Sequence, residues 1–85
     1  MGMMKVEVLY FSNGEQAGAL INYLAQKLLA EPVHFTGPHQ DTTLQCNTEV
    51  RVNGNALGWT CDRPREECLE EIKGMLDRLT EGEGS

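Results

Sequence analysis

The dipeptide Asn53-Gly54 constrains this chain more than any other feature. Two-residue hairpin loops need positive φ angles, which Asn and Gly tolerate, so Asn-Gly between alternating apolar residues is the strongest short-range hairpin signal. Before it, Val50 and Val52 alternate with Glu49 and Arg51; after it, Leu57, Trp59 and Cys61 alternate with Gly58 and Thr60. The strands are predicted over Gln45 to Val52 and Asn55 to Cys61. Each has one apolar and one polar face, so one side of the hairpin should be wet. Two registers remain open. An Asn53-Gly54 loop sets Cys46 opposite Cys61, within disulfide reach. A Gly54-Asn55 loop pairs Val52 with Leu57, Val50 with Trp59 and Thr48 with Cys61; it matches apolar partners better, and Gly suits the first position of a II′ turn.

Around this hairpin the periodicity changes. Lys5 to Phe11 is rich in β-branched and aromatic residues, with Val6, Val8 and Tyr10 on one face and Leu9 and Phe11 on the other, as in an interior strand. Ser12 with Glu15 three residues on forms a capping-box pattern. Ala17, Leu20, Ile21, Leu24 and Leu28 then recur at helical spacing, and Pro32 ends the helix near Ala30 or Glu31. Val33 to Thr36 is a short strand, and Gly37 to Gln45 reads as a loop. Asp62-Arg-Pro64 starts a second helix, with Asp62 as N-cap and a buried stripe of Leu69, Ile72, Leu76 and Leu79. The order is β-α-β-β-β-α, an α+β fold with a mixed sheet. Each helix is apolar along one stripe, so both should cover the same face of the sheet.

The chain has 85 residues, room for one domain. That domain is expected over residues 1–80, with 81–85 a flexible tail. Thirteen acids against seven Lys and Arg give a net charge of −6. Such a surface argues against direct nucleic-acid binding and against adsorption to an anionic membrane. No apolar run is long enough to span a bilayer, and Met1 to Phe11 carries Lys5 and Glu7 without an apolar core, so no signal peptide is expected. Three cysteines, an odd number with no Cys-x-x-Cys, suggest reduced thiols in a cytoplasmic protein.

The first strand, its four-residue turn, the helix ending at Pro32 and the phrase Glu49-Val-Arg-Val-Asn-Gly-Asn-Ala-Leu57 together resemble the selenoprotein W-like (Rdx) group of thioredoxin-like proteins. The resemblance spans roughly residues 5 to 80 and implies a thioredoxin-like scaffold. In that group the first strand leads into a Cys-x-x-Cys or Cys-x-x-selenocysteine turn. Here the turn reads Phe11-Ser12-Asn13-Gly14. Dithiol chemistry needs a thiolate and a resolving thiol at this helix N-terminus, and Phe11 and Gly14 supply neither. The resemblance thus implies the scaffold without the redox function. Gly18-Ala-Leu20, Glu49 to Val52 and an acidic last helix are also similar to the small DinI-like proteins, whose acidic helix engages a recombinase filament.

Candidate residues are few. Cys46, Cys61 and Cys68 read first as small buried apolar residues. Cys61 is the best reactive-thiol candidate: it lies at the start of the second helix, near Arg63 and Arg65. His34, His39 and Cys46 lack the spacing of a metal site. The second helix is acidic through Glu66, Glu67, Glu70, Glu71, Asp77 and Glu81, a solvated face or a strip for a basic partner. Trp59 is a core residue or an interface anchor. Asn55 to Cys61 is a candidate sheet edge whose polar face, including Gly58 and Thr60, has no charge to deter pairing with a second copy. No catalytic residues, cofactor or metal ligands are assigned. The expected function is a small non-catalytic cytoplasmic binding or regulatory protein, with a protein partner or a homodimer. The alternatives are a weak thiol-redox protein using Cys61 and a DinI-like acidic regulator of a recombinase. The possible interaction residues are Trp59, Gly58, Glu66 and Glu70.

Overall fold

A computed structural model describes residues 3–60 and 64–84, with the backbone alone at 58–60 and 80–84. Its elements are β1 (Met4–Tyr10), α1 (Gly14–Lys27), β2 (Val33–Gln40), β3 (Thr48–Val52), β4 (Asn55–Thr60) and α2 (Arg65–Gly84). This is the predicted β-α-β-β-β-α order. The four strands form one mixed sheet in the order β2-β1-β3-β4. β1 runs parallel to β2 and antiparallel to β3, and β4 pairs antiparallel with β3.

Alternation along β1 sends Met4, Val6 and Val8 to one face, where all three are buried. They share one cluster with Val50 and Val52 of β3, Leu57 of β4, Ala17, Leu20 and Leu24 of α1, and Cys68, Leu69, Ile72 and Leu76 of α2. Both helices therefore cover the same face of the sheet. Complete burial of a side chain such as Leu24 or Ile72 is worth about 1.5–3 kcal/mol each. Lys5, Glu7 and Leu9 point the other way; Leu9 is buried but stands outside that cluster.

Several boundaries differ from the sequence expectation. The hairpin loop is Asn53-Gly54, with φ of 54° and 86°, the two positive angles of a type I′ turn. Val52 pairs with Asn55 and Arg51 with Ala56, as that loop demands, but after an irregularity Glu49 pairs with Thr60, which is the other register. Both registers thus coexist, because β4 spends three residues opposite Val50. Asn53 also ties the turn to β1: its Oδ1 accepts from Lys5 N at 2.9 Å, and its own N–H donates to Lys5 O at 2.7 Å.

β2 continues to Gln40 instead of ending at Thr36. Gly37-Pro38, read as a loop, is a cis peptide within the strand, and the register with β1 shifts between Glu7 and Leu9. An outer strand tolerates proline, because one side of it needs no N–H. Gly37 has φ +99°, and a Cβ there would lie 2.5 Å from Val8 O.

α1 stops at Lys27 rather than near Ala30, with Leu28 N still donating to Leu24 O at 3.0 Å. Pro32 requires an extended Glu31, and Glu31 N donates to Leu28 O at 3.1 Å, so the last turn tightens before the proline. β3 starts at Thr48, not Gln45. Ahead of α2, Pro64 O accepts from Cys68 N at 3.3 Å, which makes Pro64 the capping residue; Asp62 lies outside the described residues. α2 runs to Gly84, into the stretch expected to be a tail.

Candidate functional site

The turn Phe11 to Gly14 sits where central β1 leaves the sheet, between the end of β2 and the beginning of β3. In open sheets with parallel strands, ligands collect at such carboxyl ends, where the chain departs to opposite sides. The turn contains no sulfur. What it contains is a hydrogen-bond hub built from Asn47.

The carboxamide of Asn47 reaches back from the segment before β3. Its Oδ1 accepts from Ser12 N at 2.9 Å and from Asn13 N at 2.7 Å. Two amide donors on one atom fix it as the oxygen. Its Nδ2 donates to Asn13 O at 3.1 Å, to Gln16 Oε1 at 2.9 Å and to Thr48 Oγ1 at 3.2 Å. Phe11 N completes the joint by donating to Asn47 O at 2.6 Å. Gln40 Nε2 closes the β2 side by donating to Phe11 O at 3.2 Å.

Within this joint the N-cap of α1 is Asn13, not Ser12. Asn13 Oδ1 accepts from Gln16 N at 3.1 Å. The Ser12 hydroxyl donates to Asn47 Oδ1 at 3.5 Å. The Ser12–Glu15 box does not form, because Asn47 claims the Ser12 N–H that the Glu15 carboxylate would have accepted. Among the described residues the Ser12 hydroxyl has as its partner an amide oxygen, Asn47 Oδ1, and not the base that a nucleophile requires. Phe11 is one of three large apolar residues exposed among the described ones, with Met3 and Leu29. Ser12, Asn13, Gln16 and Gln40 of the same joint are exposed as well.

The helix-free face of the sheet carries paired charges. Arg51 donates to Glu49 at 2.7 Å and lies 3.6 Å from Asp41. The Glu49 bond pushes the Arg51 guanidinium still further toward its charged form. Asp41 accepts from the Thr43 hydroxyl at 2.5 Å and from Thr43 N at 2.9 Å. Those two bonds, with Arg51 behind them, hold its carboxyl below the usual range. His39 Nε2 lies 3.6 Å from Glu7. Arg51 and His39, two of the basic side chains described on this face, thus lie against carboxylates.

Of the residues singled out in the sequence, the structure places Glu66 and Glu70 on the exposed face of α2. Cys68 is fully buried in the core as a thiol, as a small apolar residue would be. Cys46 departs from that reading: it is half-buried and disulfide-bonded. Cys61 lies outside the described residues, and Gly58 and Trp59 lie where the backbone alone is described. β4 is an outer strand, as the candidate edge required. His34 and His39 are exposed on β2, and no group of three metal-binding side chains occurs among the described residues. No helix among them is long and apolar enough to cross a membrane. Asn47 is the residue that sequence reasoning missed. Its only signal was a position just before β3, where a side chain can reach the end of β1.

No protein-family model, no curated protein and no solved structure matches this chain.

Proposed function

We propose that this chain is a small non-catalytic binding or regulatory protein on a thioredoxin-like, selenoprotein W-like scaffold from which the dithiol has been lost. The observation that carries the reading is the β1–α1 turn. Phe11 and Gly14 occupy the two thiol positions, and the backbone groups that would face a substrate disulfide are engaged by Asn47. A turn so occupied serves to hold and present a surface. Its apolar element is the exposed Phe11. The partner is a protein or a second copy of the chain, and not a nucleic acid or a membrane, in keeping with the charge of −6. For a second copy the contact strand is β4. The opposite outer strand, β2, carries Pro38, which discourages pairing, whereas Asn55 to Thr60 has neither proline nor charge. Trp59 and Gly58 belong to that contact, and Glu66 and Glu70 to a basic partner. The location is cytoplasmic, where a disulfide such as that of Cys46 is transient.

A second reading, a weak thiol-redox protein using Cys61, is favoured by the disulfide at Cys46. A DinI-like role has only the exposed acids of α2 in its support. Insulin-disulfide turnover with a thiol-regenerating system tests the first reading against the second. No turnover is expected, and turnover abolished by Cys61→Ser would replace the first with the second. Sedimentation equilibrium tests the β4 contact. A doubled mass lost in Gly58→Lys supports it; a 9.5 kDa species throughout removes it.

A further inference from the structure

The chain contains five asparagines, and two of them, Asn13 and Asn53, are followed by glycine. A glycine amide nitrogen is not shielded by a Cβ, so it can reach the Cγ of the asparagine before it. Asn22, Asn47 and Asn55 precede Tyr23, Thr48 and Ala56, whose side chains crowd that approach. The two Asn-Gly pairs share a sequence and differ in structure. We propose that Asn53 is a site of spontaneous deamidation in the folded protein, whereas Asn13 is protected by its contacts with Asn47 and Ala17. The proposal goes beyond the binding reading and does not depend on what the protein binds.

Both side chains are exposed, and both are prepared for attack in the same way. Asn53 Oδ1 accepts from Lys5 N at 2.9 Å, and Asn13 Oδ1 accepts from Gln16 N at 3.1 Å. A fixed N–H on this oxygen stabilises the negative charge it gains when Cγ is attacked. The difference lies in the peptide that follows. To bring the glycine nitrogen onto Cγ, that peptide plane must turn about the Cα–C bond of the asparagine. At Asn13 the plane is pinned, because Asn13 O accepts from Asn47 Nδ2 at 3.1 Å and from Ala17 N at 3.4 Å. Turning it breaks both bonds. At Asn53 the N–H donates to Lys5 O, but among the described residues neither Asn53 O nor the Gly54 N–H takes part in a hydrogen bond. A Cβ on Gly54 would meet nothing within 4 Å, so the space around this peptide is open.

The reaction consumes only water. The Gly54 nitrogen loses its proton and bonds to Asn53 Cγ. The Cγ–Nδ2 bond breaks, and Nδ2 leaves as ammonia with that proton. The resulting succinimide takes up water at one of its two carbonyls. Opening at Cγ gives aspartate; opening at the main-chain carbonyl gives isoaspartate, in which the chain runs through Cβ and Cγ. Either product adds a negative charge to the existing −6. Aspartate keeps an acceptor for Lys5 N and tolerates the left-handed φ of 54°. Isoaspartate inserts a carbon into the main chain of a two-residue loop closed by the pair Val52↔Asn55, and so loosens that end of the hairpin.

The test ages the full-length protein in mildly alkaline buffer, folded and in denaturing urea, with peptide mapping at intervals. Each residue's folded rate is divided by its own rate in urea, which removes the effect of sequence. The ratio at Asn53 should exceed that at Asn13 by about tenfold, because the two bonds on Asn13 O must break first. Equal ratios, a larger ratio at Asn13, or conversion of neither residue in the folded protein overturns the assignment. The isoaspartate form, separated by anion exchange, is then compared with wild type and Asn53→Asp by amide hydrogen exchange. It should exchange about tenfold faster at Val52 and Asn55 and unchanged at Val8, with Asn53→Asp matching wild type. Equal protection at Val52 and Asn55 in all three forms overturns the loosening, as does an equal loss at Val8.

Discussion

Replacing Asn47 with alanine removes every contact of its carboxamide and keeps the backbone bond from Phe11. Six polar contacts surround that group. A primary amide has two N–H donors and two acceptor lone pairs, so no more than four of them count as full hydrogen bonds. Each is worth about 0.5–1.5 kcal/mol net. Ser12, Asn13 and Gln16 are exposed, so water can replace the lost partners, and the lower end applies. Four bonds at about 0.5 kcal/mol give about 2 kcal/mol. With a urea m-value of about 1 kcal/mol/M, suited to a chain of this size, the unfolding midpoint should fall by about 2 M. Asn47→Asp separates the two ends of the amide. It keeps an acceptor for Ser12 N and Asn13 N and adds a negative charge near the N-terminus of α1, worth about 0.3–1 kcal/mol, while losing the donors. Two lost donors cost about 1 kcal/mol and the charge returns about 0.3–1 kcal/mol, so its midpoint should lie no more than about 0.7 M below that of wild type. The assay is urea unfolding followed by far-UV circular dichroism. An Asn47→Ala midpoint within about 0.3 M of wild type would refute the hub, as would Asn47→Asp falling as far as the alanine variant.

Other perturbations probe neighbouring parts. Asn13→Ala should cost about 1 kcal/mol as loss of a helix cap, whereas Ser12→Ala should lie within about 0.5 kcal/mol of wild type, because Ser12 contributes its backbone N–H; urea midpoints that rank the two in reverse order contradict this. Gly37→Ala should be worse than Gly54→Ala. Both residues have positive φ, at about 1–2 kcal/mol of strain, but a Cβ at Gly37 also strikes Val8 O while one at Gly54 meets nothing within 4 Å; equal thermal midpoints would show that the close approach is unimportant. The Asp41 carboxyl is held low by Thr43 and then by Arg51, so its stabilising effect is present above the unfolded value near about 3.9 and is lost as pH falls below it. Asp41→Asn should therefore be less stable than wild type at pH 7, and the gap should close on acidification toward about pH 2; a gap independent of pH removes the assignment.

The sequence carried the architecture where one local rule acted alone. Asn53-Gly54 made a hairpin because both residues tolerate positive φ, and Pro32 bounded α1, which stops at Lys27, short of the proline. Reading went astray where two local rules were both satisfied and a distant residue chose between them. Ser12 and Asn13 are equally good caps; Asn47, far along the chain, takes the Ser12 N–H and leaves the role to Asn13. Gly37-Pro38 has the composition of a break, yet β2 passes through it because it lies at the edge of the sheet. The hairpin register could not be chosen, because β4 changes register partway and each alternative holds over part of the ladder. At the site, the absence of sulfur from the turn was legible residue by residue. The Asn47 hub was not, since an asparagine before a strand looks like any loop residue. The disulfide at Cys46 is not legible in the sequence, because cysteine count and spacing contain no three-dimensional information.

The proposed function stands on a β1–α1 turn unable to carry out dithiol chemistry. The most direct measurement is the rate of insulin-disulfide reduction by wild-type protein and by Phe11→Cys/Gly14→Cys, side by side with a thiol-regenerating system. Position 14 begins α1, where the helix N-terminus favours a thiolate, and a Cβ there lies 3.2 Å from the Tyr10 ring, which must shift by a few tenths of an ångström. The account predicts no turnover above background for wild type and measurable turnover for the double variant. Turnover by the wild-type protein would contradict it.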